Sequence, residues 1–167
     1  MNRLLRLACG VILLAAVPGC GLRPMYAGGS QGAVAQGLAA VDVSAIEGRE
    51  GYLVRNALMD RLAQSGGTSA PRYRLDVLLD DELEGLGLLT DDTIGRERRT
   101  LRARYQLVDL ASGAILVDAT AGSDAGIDVV SSEYATIAAE QSALENLAQQ
   151  VADRIVTRLA LTLHEQS

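Results

Sequence analysis

Four segments of the chain alternate between apolar and polar positions, as strands with one buried face do. They cover residues 39–46, 73–82, 100–107 and 114–120. The fourth strand is expected to bury Ile115 and Val117, and residues 122–128 are turn-rich or extend it. The glycine-rich stretch 85–95 is interpreted as a loop or as the twisted tip of a long hairpin. The pattern therefore predicts a sheet with one apolar and one polar face.

Two other segments have the helical period of apolar residues. The first runs from Tyr52 to about Gln64, between glycines on either side. The second runs from about Glu133 to Leu163, and Ser131 or Ser132 can cap it. Its predicted buried stripe is Ile137, Leu144, Ala148, Val151, Ile155 and Leu159.

The element order is therefore β-α-β-β-β-α. Two amphipathic helices can cover one face of the sheet, which predicts an α+β fold. We expect a two-layer sandwich with a four-stranded, mostly antiparallel sheet and both helices on one face. The other face would meet water or a hydrated partner.

The first 19 residues have the three parts of a secretory signal. Arg3 and Arg6 precede an apolar stretch that is shorter than the roughly 20 residues needed to span a bilayer. Cys20 follows the small Gly19, an arrangement that resembles the lipobox of bacterial lipoproteins. The resemblance implies that the Cys20 thiol is acylated, that the leader is then cleaved before Cys20, and that the new amino terminus is acylated too, with palmitate among the acyl groups. An ordinary signal peptide that ends near a cysteine is the alternative.

These boundaries divide the chain into a signal peptide (1–19), a lipidated flexible tether (20–38) and a folded domain (39–167). The glycine, alanine and glutamine of the tether segment favour flexibility. Cys9 and Cys20 are the only cysteines, so the chain after cleavage has no internal disulfide. Gly21 follows the cysteine where inner-membrane lipoproteins of enterobacteria tend to have Asp, which favours the cell outer membrane.

Charge separates the candidate functions further. The 167 residues include 21 acidic and 15 basic residues, every basic one an arginine, for a net charge of −6. This balance argues against general nucleic-acid binding. A dense basic segment stands out against it: Arg96, Arg98, Arg99, Arg102 and Arg104.

Arginine pairs well with phosphate, so this segment could bind a phosphorylated ligand. The alternative is cross-strand pairing with the acidic residues of the preceding strand, Asp80, Asp81, Glu82 and Glu84. We favour pairing for Arg102 and Arg104. For Arg96, Arg98 and Arg99 the two interpretations stay open.

No catalytic, cofactor or metal site is predicted. His164 is the only histidine and lies near the end of the last helix, where a catalytic base would be poorly held. Cys20 and His164 together are too few ligands for a structural zinc site. The acidic pairs do not have the spacing of an EF-hand loop.

Several motifs together resemble the alphaproteobacterial lipopolysaccharide-assembly lipoproteins of the LptE type. Residues 20–26, CGLRPMY, are similar to the CGFRPLY start of that family. Residues 49–58 resemble its first helix, 73–75 its second strand, 99–109 its third strand and turn, and 132–135 the cap of its last helix.

The resemblance implies a non-enzymatic outer-membrane lipoprotein that faces the periplasm. Its partner would be an LptD-type outer-membrane β-barrel, which the lipoprotein plugs and helps to assemble. The pair would insert lipopolysaccharide into the outer leaflet, and the lipoprotein would itself contact lipopolysaccharide. The phosphates of lipopolysaccharide would then be the candidate ligand of Arg96, Arg98 and Arg99. The alternatives are a pilotin-like assembly or transport-auxiliary lipoprotein with another partner and, less in keeping with the residues, a periplasmic hydrolase.

Overall fold

The computed structural model of the chain describes residues 32–64, 70–88 and 94–166. The predicted signal peptide, Cys20 and most of the predicted tether segment lie outside these residues. The elements are α1 (Ala33–Ala39), β1 (Val41–Val43), α2 (Gly48–Ala63), β2 (Tyr73–Leu88), β3 (Ile94–Asp109), β4 (Ile115–Asp128) and α3 (Glu133–Glu165).

The four strands form one sheet in the order β1-β2-β3-β4. β1 runs parallel to β2, so α2 is the crossover between them, and the remaining neighbours are antiparallel. This confirms the predicted α+β fold with a four-stranded, mostly antiparallel sheet. The order of the strands could not be read from the sequence.

The core lies between the sheet and the helices. β3 contributes Leu101, Tyr105 and Leu107, which are almost fully buried. The opposing side chains of α3 include Val151, Ile155 and Leu159, each 0% exposed. Burial of each such aliphatic side chain contributes about 1.5–3 kcal/mol, so this interface stabilises the fold substantially.

The folded domain begins earlier than the sequence predicted. Residues 33–38, assigned to the flexible tether, belong to α1, and Val34 and Leu38 are 5% and 1% exposed. The tether prediction is wrong for these residues. Alanine and glycine at the other positions of α1 conceal its amphipathic pattern, and Gly37 permits close approach to Leu163 at the end of α3.

Several element boundaries also differ from the predicted ones. α2 begins at Gly48 rather than Tyr52, and β2 and β3 pair well beyond the predicted strands, as far as Leu88 and Ile94. The interpretation of 122–128 as an extension of the fourth strand is confirmed.

Two of the predicted core residues are exposed instead. Ile115 is 56% exposed because it lies at the end of the sheet, beside an irregularity in the β3–β4 pairing. Ile137 is 41% exposed because the continuous buried stripe of α3 begins only at Leu144.

Candidate functional site

The central strand β3 distributes its arginines between the two faces of the sheet. Successive side chains of a strand point to opposite faces. Arg96, Arg98, Arg102 and Arg104 are exposed on the face without helices, the open face, whereas Arg99 lies on the same side as the buried Leu101. The three candidate lipopolysaccharide-binding arginines, Arg96, Arg98 and Arg99, therefore do not share one surface.

Arg99 forms the most enclosed ion pair among the described residues. Its Nε and Nη2 donate to the two carboxylate oxygens of Asp81 on β2, at 2.9 and 2.6 Å, and Nη1 donates to the Glu140 carbonyl of α3 at 3.3 Å. Both charged side chains are 16% exposed. The hydrogen bond with Asp81 raises the pKa of the Arg99 guanidinium above its usual range, although burial opposes this. Arg99 thus joins β2, β3 and α3.

The exposed arginines differ in whether they have a partner. Arg96 Nε lies 3.1 Å from an oxygen of Asp128 on β4. Arg104 pairs with Asp118 on β4 at 3.3 Å, so the prediction that it pairs with the preceding strand is wrong. Hydrogen bonds from Arg104 and Gln106 lower the pKa of Asp118.

Arg98 and Arg102 have no ion pair among the described residues, although acidic residues lie opposite both on β2. Arg102 is in register with Asp80, but the predicted pairing with the acids of that strand does not form. On the β4 side, their register partners are Gly126 and Gly122, respectively. A Cβ at Gly122 would lie 3.2 Å from Cγ of Arg102, and one at Gly126 would meet nothing within 4 Å. The aliphatic stem of Arg102 therefore lies against Gly122, whereas open space lies over Gly126, the register partner of Arg98.

A shallow cleft of about 320 Å³ lies on the open face next to Arg102. Thr100 and Thr120 add hydroxyl groups to its lining, and Asp124 adds a carboxylate. Along the strand, Arg98 and Arg102 are four residues apart, which corresponds to about 13 Å. The arrangement suits a ligand with well-separated anionic groups rather than one small anion.

The sequence contains a signal for these glycines in the alternation of residues 122–128. Gly122 and Gly126 occupy alternate positions of 122–128 together with Asp124 and Asp128. Had that segment been assigned to a strand, all four would have been placed on one face. Likewise, the alternation that buries Leu101 already placed Arg99 on the covered side.

The part of the chain that the structure describes contains few other groups that could form a catalytic or metal-binding site. His164 is exposed in the last turn of α3. No group of three or more His, Cys, Asp or Glu side chains within the described ranges could hold a metal ion. Among residues 32–64, 70–88 and 94–166, no helix is long and apolar enough to cross a bilayer.

A comparison with protein-family models matches residues 38–159 to the family LptE, described as lipopolysaccharide-assembly. The match spans well over half of the chain. The chain belongs to the LptE family. It is thus a member of a non-enzymatic family of lipopolysaccharide-assembly lipoproteins, as its sequence motifs predicted. No curated protein matches the chain significantly.

Solved structures of bacterial lipoproteins resemble this LptE-family chain. A lipoprotein of Caulobacter crescentus CB15 has a TM-score of 0.66 and 28% identity over 81% of this chain and 98% of its own. Rare lipoprotein B of Shewanella oneidensis has a TM-score of 0.54 and 17% identity, covering 76% and 96%. A minor lipoprotein of Acinetobacter baumannii has a TM-score of 0.55 and 14% identity, covering 72% and 88%. The last two likenesses show the fold alone.

Proposed function

We propose that this LptE-family chain is an outer-membrane lipoprotein that docks as a plug in a β-barrel partner of the LptD type and helps to assemble it. In this role it supports insertion of lipopolysaccharide into the outer leaflet and performs no catalysis. The family match over residues 38–159 is the observation that carries the proposal.

Acylated Cys20 is the proposed membrane anchor. Residue 32 is the first described residue, so about 12 residues separate it from Cys20. Fully extended, they span roughly 40 Å. Two or more acyl chains hold a protein stably on a membrane, whereas one binds marginally. Mass spectrometry of the native protein and fractionation of a Cys20→Ala variant test this part, since an unmodified, freely released wild-type protein would refute it.

The open face of the sheet is the proposed hydrated surface toward the partner and lipopolysaccharide. Lumens of large outer-membrane barrels are polar, so a charged sheet face is compatible with one. The proposed lipopolysaccharide contacts are Arg96 and Arg98, and Arg102 joins them because it is exposed and has no ion pair within the described ranges. Arg99 is left out because Asp81 and Glu140 already occupy its guanidinium.

Co-purification from membranes tests the partner. The expected result is an outer-membrane β-barrel that remains bound after detergent extraction, together with less lipopolysaccharide at the cell surface when this protein is depleted. Recovery of a secretion or pilus component instead, with surface lipopolysaccharide unchanged, would favour the pilotin-like alternative and overturn the proposal.

Charge reversal tests the contact with lipopolysaccharide separately. Hydrogen bonds to charged groups contribute about 1.5–3 kcal/mol each, so Arg98→Glu with Arg102→Glu should weaken binding by at least about tenfold. Arg74→Glu is the matched control, since Arg74 is also exposed on the open face but lies at its other end and pairs with Asp76. Equal affinities for the double variant and the control would remove the arginine assignment while leaving the barrel partnership standing.

A further inference from the structure

The strand β4 forms an edge of the sheet, and β3 is its only neighbour among the described strands. The backbone of Val129 donates to Gly95 of the β3 side at 3.2 Å, whereas the Gly122 carbonyl accepts from Arg154 of α3. Since a strand residue directs both its N–H and its C=O to one side, the even-numbered residues of β4 direct theirs away from β3.

Arg154 divides this edge into two parts. Its guanidinium occupies the Gly122 carbonyl, as charged side chains often do at exposed edges. Farther along, the outward N–H and C=O groups of Asp124, Gly126 and Asp128 have no partner in the part of the chain that the structure describes. The second part is therefore a short open edge, defined here as residues 124–128.

A groove of about 680 Å³ runs beside the open edge, between β4 and α3. On the α3 side it is lined by small or uncharged side chains, among them Ala139, Ser142 and Ala143. The charged residues in the lining, Asp128 and Asp153, are both acidic, and each is already paired with an arginine, Asp128 with Arg96 and Asp153 with Arg61 of α2. The groove thus leaves room for the side chains of an added strand. Asp124 on the open edge is exposed and has no ion pair within the described ranges, and this charge favours a basic strand.

We propose that the open edge accepts an extended segment of a separate polypeptide by strand addition, with basic side chains four residues apart opposite Asp124 and Asp128. Backbone hydrogen bonds to the edge would supply affinity and the alternating side chains specificity. Nothing within 4 Å would meet a Cβ at Gly126, so a bulky side chain between the two basic ones fits over it. The proposal goes beyond the proposed function and does not depend on it.

A second copy of this chain fits the edge poorly. In an antiparallel pair of two β4 strands centred on Gly126, each Asp124 would face Asp128 of the other copy. Like charges directly opposite each other in a sheet are destabilising. Pairing centred closer to Gly122 would need displacement of Arg154. Charge complementarity therefore favours a basic partner over self-association.

The probe is a synthetic capped peptide, Thr-Arg-Val-Tyr-Val-Arg-Thr, whose arginines and tyrosine share one face of a strand. It is titrated into the purified full chain while backbone amide shifts are followed by NMR. We expect the largest shifts at residues 124–128 and in the facing turns of α3. The same peptide with Glu in place of both Arg should bind at least about fivefold more weakly.

Gly126→Pro is the decisive variant. Proline removes an N–H that points away from β3, a position where strands tolerate it, so the β3–β4 ladder is kept. The peptide affinity should fall by about tenfold. Gly126→Ala is its matched control, because it keeps the N–H and adds a Cβ in open space. Its affinity should exceed that of Gly126→Pro by about tenfold, because the N–H is kept.

A charge variant tests the same site without any backbone change. Asp124→Arg should lower affinity for the basic peptide and raise that for the acidic one, each about two- to fivefold. Equal affinity in Gly126→Pro and Gly126→Ala, or an unchanged preference in Asp124→Arg, would overturn the proposal. So would dimerisation of the wild-type protein that Gly126→Pro abolishes, because the occupant would then be a second copy.

Discussion

The ion pair between Arg99 and Asp81 should stabilise the fold far more than the exposed pairs do. Asp81→Asn removes the carboxylate and leaves the guanidinium enclosed at 16% exposure. Breaking a fully buried pair from one side costs about 3–5 kcal/mol. Residual exposure and the bond to the Glu140 carbonyl reduce this, so we expect a loss of about 2–3 kcal/mol in the free energy of unfolding.

Urea denaturation at pH 7 measures the effect. With an m-value of about 2 kcal/mol per molar, the midpoint should fall by about 1 M. Asp128→Asn is the matched control, because its partner Arg96 and Asp128 itself are 65% and 75% exposed, and it should cost less than about 1 kcal/mol. Equal midpoints for the two variants, with equal m-values, would refute the reasoning from burial.

Three further predictions concern the helix start, the β3–β4 turn and the core. Gly51→Ala should destabilise the protein by about 1–3 kcal/mol, because the new Cβ would lie 2.6 Å from the Ile46 carbonyl oxygen. Asp109→Asn should destabilise it at neutral pH but not in acid, since hydrogen bonds, first that from the Ser112 backbone, lower the pKa of Asp109. Ile155→Ala should cost about 2–5 kcal/mol, because Ile155 is fully buried.

Each of these three predictions has a control or an outcome that would contradict it. Alanine normally stabilises a helix relative to glycine by about 1 kcal/mol, so a gain of stability in Gly51→Ala would contradict the close approach. A carboxyl group whose pKa is lower in the folded protein than in the unfolded chain stabilises the fold at pH values above its unfolded pKa of about 3.9. This stabilisation is lost as the pH falls through the pKa of the folded state. Curves for wild type and Asp109→Asn should therefore begin to converge as the pH falls below about 4 and should meet only below the folded pKa of Asp109. Ile137→Ala is the exposed counterpart of Ile155→Ala and should cost much less.

The sequence predicted the candidate site only in part. The local density of positive charge identified the basic segment. It could not separate Arg99, which is on the covered face of the sheet, from the exposed arginines beside it. The partners of Arg104 and Arg96 lie on β4 rather than on the preceding strand. The sequence pattern of β3 does not indicate which strand lies on its other side in the sheet. The ion pairs with β4 could therefore not be predicted from that pattern.

Periodicity by itself determined the element types, the α+β class and most of the buried stripe of α3, because alternation and helical period are local consequences of having one dry face. The family motifs are equally local. Tertiary structure decided what depends on residues distant in sequence: the strand order, the docking of α1 on α3, the enclosure of Arg99 and the free edge of β4. Each depends on which surfaces meet, and that is settled by packing between elements rather than within them.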